Sequence, residues 1–377
     1  MRTKKTSLFI ILMTSWALSN SVAAQELPLN AKMKQAATSL SELMPFIYDD
    51  DAFRSLNNKG VIEHNLSTLI SVTKSTPKLF SDHAVTMQIS QQSLLATLEQ
   101  ANSLYQSGSY ATAQYLLSGV PMVCSSCHIQ DGKQSKLNLK LDREDFANDF
   151  SFAEFNYYLR NYQQAQSAYE NNLNSASTQE SRIQSRKTLE RLLDISLLTS
   201  PNADTAIDQL NDAKSLPKLN NEARQVIQHW LTGLKALKFD DMRLDELEQA
   251  IYATFDEQFT LEHEFIFQEE NRPKALLWRK QLHQQLRNQH NNQNTARALY
   301  LLSILERALG DQIDVSLANL YLKECVHLKA RVYSAKCINE FENHLNFYYG
   351  GSSGDHLPTQ VYNQLQQLKK SVSDGNQ

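Results

Sequence analysis

Two thiols and an imidazole stand close together in the stretch VCSSCHIQ: Cys124, Cys127 and, directly after them, His128. The spacing C-x-x-C-H suits covalent haem attachment. Two thiols add across the haem vinyl groups, and the following imidazole takes an axial position on the iron. On a helix, positions i, i+3 and i+4 share one face, so both sulfurs and the ring nitrogen can address one macrocycle while Ser125 and Ser126 turn away. Three other chemistries use the same residue types. A thioredoxin-like redox pair needs a strand-to-helix context, whereas the preceding stretch, 110–120, reads as helix. A zinc site needs a second closely spaced Cys or His pair, and none accompanies this one. A plain disulfide leaves His128 without a role.

The N-terminus bears on that choice. Arg2, Lys4 and Lys5 precede an apolar run over 8–18, followed by Ser21-Val22-Ala23-Ala24. This is the pattern of a secretory signal peptide, expected to span 1–24 with cleavage near Ala24. The run is shorter than the roughly 20 residues of a membrane span, no cysteine stands at the cleavage point, and no later segment is apolar enough to cross a bilayer. The expectation is a periplasmic protein without a stable membrane anchor, in a compartment that favours disulfides.

The other two cysteines, Cys325 and Cys337, are 12 positions apart in ECVHLKARVYSAKCINE. On one continuous helix they would be roughly 18 Å apart, beyond the roughly 4.4–6.8 Å between Cα atoms that a disulfide tolerates. A disulfide therefore requires a turn between them, and that is the expected arrangement. The alternative is two separate buried thiols on one helix. His327, beside Cys325, reads as a surface histidine rather than a metal ligand.

Composition points to an all-α chain: only 10 glycines and 8 prolines occur in 377 residues, and strand-like alternation is hard to find. The formal net charge is −4 with neither sign in a long block, so no basic face for nucleic acid is present. No G-x-S-x-G, H-E-x-x-H or phosphate loop occurs, and acidic pairs such as Glu262/Glu264 and Glu269/Glu270 read as charged helical surface. The chain is not expected to be an enzyme.

Four amphipathic segments lead up to the haem motif. They span 31–43, ended near Pro45; 58–73; 89–105, before Gly108; and 110–128, which carries the motif. Together they predict a four-helix-bundle-like haem domain over 25–140, with the haem in the core and held by the last helix. The stretches FRSLNNKGVIEHNLSTL and SGSYATAQYLLSGVPMVCSSCH resemble the first and last core helices of the cytochrome c-prime group and related periplasmic monohaem c-type cytochromes. The resemblance covers 40–132, about a quarter of the chain, and its specific part is C-x-x-C-H. It implies a single covalent haem c and electron transfer. The chain departs from the c-prime pattern in placing Ile129 and Gln130, not a basic residue, after the histidine.

The sixth iron position decides what such a haem does. A strong second ligand favours outer-sphere electron transfer, and an open site binds a small gas. Met87, ahead of the third segment, is the first candidate; Met44, His64, His83 and Met122 are the others. Lys133, Lys136 and Lys140 follow the motif and either steer an acidic redox partner or form a solvated linker.

Beyond the haem domain, 141–377 reads as helical repeats. YYLRNYQQAQSAYENNL sets Tyr162, Ala165 and Tyr169 at tetratricopeptide-like spacing, with Arg160 where that repeat usually has glycine. A similar phrase with Gly108, Tyr110 and Ala113 occurs in SGSYATAQYLL. Later helical segments are expected at 222–237, 244–255, 273–287, 295–309, 315–327 and 332–348, with Trp230 and Trp278 in the core. The polar stretch 287–295 reads as a loop between halves of the array, and 350–354 as a link to a last helix at 359–372. An α-solenoid-like array of this kind either docks a peptide or protein or serves only as a packing extension. The combined expectation is a periplasmic monohaem c-type cytochrome whose repeat domain docks a redox partner, another periplasmic or membrane-bound cytochrome. The alternatives are a haem-based gas-binding sensor or adaptor and, third, a periplasmic scaffold without haem.

Overall fold

The computed structural model describes residues 28–76, 85–121, 123, 139, 141–175, 181–199, 202–237, 241–255, 268–288, 291–309, 315–351, 354–355 and 357–373, and these are all-helical apart from a two-residue pairing of Gly350–Gly351 with Gly354–Asp355. The N-terminal helices are α1 (Leu29–Ile47), α2 (Asp50–Arg54), α3 (Lys59–Lys74), α4 (Val85–Gln106) and α5 (Tyr110–Ser118). In α1, Leu40, Leu43, Met44 and Ile47 recur at helical spacing and are buried. The helix does not stop near Pro45 but continues through it to Ile47. Pro45 removes one backbone donor from the last turn, and burial of Met44 and Ile47 offsets that loss.

α1 packs on α3, α3 on α4, α4 on α5 and α5 back on α1. Neighbours run antiparallel: Lys32, early in α1, donates to the Ser75 carbonyl just past α3 at 3.1 Å, and Tyr105 near the end of α4 meets Tyr110 at the start of α5 with ring centroids 5.1 Å apart. Phe53 of α2 plugs the end, edge-on to Tyr105.

The remaining helices are α6 (Asp149–Tyr158), α7 (Tyr162–Ser175), α8 (Ser181–Thr199), α9 (Ala203–Ser215), α10 (Asn221–Lys235), α11 (Leu244–Phe255), α12 (Arg272–Asn288), α13 (Asn292–Leu309), α14 (Val315–His327), α15 (Arg331–Tyr349) and α16 (Thr359–Ser373). From α6 to α10 each packs on the next; α10 then contacts α12, and the succession resumes from α12 to α16. Asn148, Asn202 and Asn220 cap α6, α9 and α10 by accepting backbone N–H bonds. Trp230 and Trp278 are both buried in this core. Only part of the polar stretch 287–295 lies outside helices: α12 runs to Asn288, and 292–295 form the first turn of α13 with Thr295 buried, while 289–290 lie outside the described residues. Gly233 is needed where α10 passes the short turn Glu269–Asn271, because a Cβ there would overlap the Glu270 carbonyl oxygen.

The apolar contacts do not break at 140/141. Phe146 and Phe155 belong to the core of α1–α5, whereas Ala153, Tyr157 and Tyr158, on the same helix as Phe155, belong to the core of the later helices. Helix α6 is thus a shared wall between two cores.

Three helix hairpins turn in the same way. Gly108 (φ 84°), Arg160 (φ 59°) and Lys329 (φ 52°) adopt the left-handed conformation. After the first two, Ser109 N–H reaches the Leu104 carbonyl and Asn161 N–H the Asn156 carbonyl, both at 2.8 Å. Ala113, Ala165 and Ser334 occupy equivalent positions downstream, and all are buried. Two of these turns therefore hold a side chain where glycine would be unstrained. Arg160→Gly relieves a Cβ clash of about 1–2 kcal/mol and returns part of it as unfolded-chain entropy. The variant is expected to gain about 0.5–1 kcal/mol, seen as a raised midpoint in urea denaturation.

Candidate functional site

Helix α5 leads toward the motif. It ends at the cap residue Gly119, and Val120 and Pro121 after it are buried. Cys124, Cys127 and His128 lie outside the described residues, as do His83, Met122, Lys133, Lys136 and Lys140. The chain is described again at Leu139, which is buried in the same N-terminal core as Val120, with Phe146 following. Both flanks of the motif segment therefore rest on the core of α1–α5.

Of the sixth-ligand candidates, Met87 falls in the first turn of α4, and its side chain lies outside the described residues. Because α4 and α5 run antiparallel, α5 heads toward the end of the pair at which α4 begins. Met44 is fully buried among Leu40 and Leu43, and His64 is exposed on α3. Leu43, Met44, Ile62, Leu66, Leu98 and Leu117 fill the centre between the four helices. Within that region Asn65, 1% exposed, has a buried Nδ2 without a hydrogen-bond acceptor among the described residues. The donor set of two thiols and one imidazole is the set that haem c requires, so the residues present fit that group by chemistry.

Cys325 and Cys337 form a disulfide with Cα atoms 6.2 Å apart. The turn at 328–330 separates α14 from α15, which is what lets residues far apart along a helix approach. Both sulfurs are buried, and Ser334 Oγ donates to the Cys325 carbonyl at 3.1 Å. His327 is exposed beside Glu324, 3.7 Å away. A loop of this length contributes about 3 kcal/mol through chain entropy. Cys325→Ala/Cys337→Ala is expected to lose about 2–4 kcal/mol, measured by denaturant titration under non-reducing conditions.

A second cluster of chemical groups, around Glu154 on α6, was not legible in the residue types. Glu154 is 1% exposed and accepts from Arg191 Nε at 3.2 Å, from Lys187 Nζ at 2.8 Å and from the Tyr169 hydroxyl. Burial alone would raise its pKa; Arg191, then Lys187, then the hydrogen bonds of Lys187 and Tyr169 outweigh it and hold the carboxyl at about 2. Arg191 also lies 4.4 Å over the Tyr157 ring, and Tyr157 donates to Asp194, which pairs with Arg279. Burial and the adjacent carboxylates push the Tyr157 and Tyr169 phenols up, so both remain donors. These pairs tie α6 to α7 and α8. The cluster's sequence signal is an acid, Glu154, set between aromatics in DFSFAEFNYY.

Among the described residues no group of three His, Cys, Asp or Glu side chains is placed to hold a metal ion, and no helix is long and apolar enough to cross a membrane. The chain falls in the all-helical class. No protein-family model, no characterised protein and no solved structure matches it.

Proposed function

We propose that this chain is a periplasmic monohaem c-type cytochrome. In this reading residues 1–24 are removed as a signal peptide, and Cys124 and Cys127 bind one haem c through thioethers with His128 as axial ligand. Residues 25–140 act as a four-helix-bundle-like haem domain, and 141–377 as an α-solenoid-like array that docks a redox partner, another periplasmic or membrane-bound cytochrome. The observation that carries the proposal is the C-x-x-C-H donor set on a segment whose two flanks, Val120 and Leu139, are buried in one helical core. When bound, the haem supplies a one-electron ferrous/ferric couple.

The chain's own residues hold, shield and select. Cys124 and Cys127 would hold the macrocycle, and His128 would bind the iron. Val120 and Leu139, buried in the core of α1–α5, would hold the group against that core, and α5 runs toward the end at which α4 begins. Met87, in the first turn of α4, is the proposed sixth ligand. Met87→Ala is expected to lose the low-spin spectrum.

The deciding experiment is the absorption spectrum of the reduced, periplasmically matured protein with and without carbon monoxide. A haem band indifferent to the gas is the expected result and means a sixth protein ligand and an electron carrier. A shifted band means an open iron and favours the gas-binding sensor or adaptor. Absence of a haem band overturns the proposal.

A further inference from the structure

The turn between α6 and α7 holds Arg160 in the left-handed region, where glycine would be unstrained. Arg160 is exposed, and its guanidinium meets no carboxylate among the described residues. Contacts of the same turn place it beside α12: the Tyr162 ring lies 6.1 Å from that of Tyr157, Tyr157 donates to Asp194, and Asp194 pairs with Arg279 of α12 at 3.4 Å. Along α12, Arg279, His283 and Arg287 recur at every fourth position and so share one face. His283 is half-buried, its ring 6.2 Å from that of Tyr321 on α14. Burial first, then Arg279, Arg160 and Arg287, lower its pKa to about 3, so the ring is neutral and the charged groups acting on it are guanidiniums. Arg279 is balanced by Asp194 and Glu306. Arg287, like Arg160, is exposed with no ion-pair partner among the described residues.

Unbalanced like charges on one face attract an anion, and a guanidinium fork matches a carboxylate at two points. A left-handed backbone beneath a side chain is a cost that persists where that side chain is used. Two turns of α12 separate Arg279 from Arg287, about 12 Å. One small anion cannot span that distance, whereas about four residues of extended chain can. Resting on the reading of the array as a docking domain, and independent of the haem, we propose that the face formed by Arg160, His283 and Arg287 is the docking site and takes an acidic, extended peptide segment of the partner. Arg160 and Arg287 bind carboxylates of that segment, and the neutral His283 ring between them offers an N–H.

The test is calorimetric titration of the full, matured chain with a hexaglutamate peptide at low salt, with inorganic phosphate as a second probe. The parent is expected to bind the peptide, to release it as salt is raised, and to bind phosphate about tenfold more weakly or less. Arg160→Gly and Arg287→Ala should each weaken peptide binding by about tenfold. Arg160→Gly is also expected to fold more stably than the parent, so its loss of binding separates recognition from a structural role. Arg54→Ala removes an equal charge from an exposed position on α2 and should leave the affinity within about twofold of the parent. Absence of peptide binding overturns the inference, and so does phosphate binding as tight as that of the peptide. Equal weakening by all three substitutions also overturns it, because net charge alone would then account for the affinity. Intact mass of the same samples reads the haem. A haem-free chain that binds the peptide overturns the cytochrome reading and supports this site, whereas a haem-loaded chain that does not bind it overturns this site alone.

Discussion

Cys124→Ala/Cys127→Ala is expected to yield a mature chain with no covalent haem. In the proposed reading each thioether needs its own sulfur, and His128 alone would support only a coordinate bond that acidified organic solvent breaks. The single variants should retain one thioether each and show a displaced reduced absorption band. The helical scaffold should survive, because the centre of α1–α5 is closed by the chain's own leucines, isoleucine and methionine. Intact mass and haem extraction after periplasmic maturation measure the outcome. A double variant with the mass increment and colour of the parent would mean that these thiols do not carry the haem.

The second large effect lies away from the motif. Glu154→Gln keeps the shape of the side chain but leaves Arg191 and Lys187 facing a neutral group in a buried site, a change that costs about 3–5 kcal/mol. The dependence on pH follows from the lowered carboxyl. With a folded pKa of about 2 against an ordinary 4.5, the ionised carboxylate stabilises the folded state. That contribution is fully present above about pH 4.5, declines as pH falls, and is gone below about pH 2. Its size is on the order of 3 kcal/mol. Denaturation midpoints measured from pH 6 down to 2 should therefore fall steeply in the parent and more shallowly in Glu154→Gln. Equal slopes would mean that the ion pairs around Glu154 do not hold its carboxyl down.

Local periodicity made much of the helical framework readable. The spans 244–255 and 315–327 agree in sequence and structure, because apolar residues at helical spacing lie between polar breaks there. Helices α8 and α9 were harder to read. In α8 the buried face includes Thr188, Asp194 and Ser196, so polarity no longer tracks exposure. The stretch 292–295 looks like a loop by composition, yet it is drawn into α13 because Thr295 and Ala296 gain burial.

The sequence by itself determined the all-helical class, the C-x-x-C-H donor set and the need for a turn between Cys325 and Cys337. Each of these depends on residues near one another in the chain, where spacing and backbone geometry are enough. The tertiary structure decided which partner each face meets. It put Phe155 on one core and Tyr157 on another, buried Glu154 between two cations, forced Arg160 into a left-handed turn, and set Ile89 of α4 against the array. An amphipathic pattern records that a face must leave water, but the hydrophobic effect is non-directional; shape and charge across distant segments choose the surface that covers it.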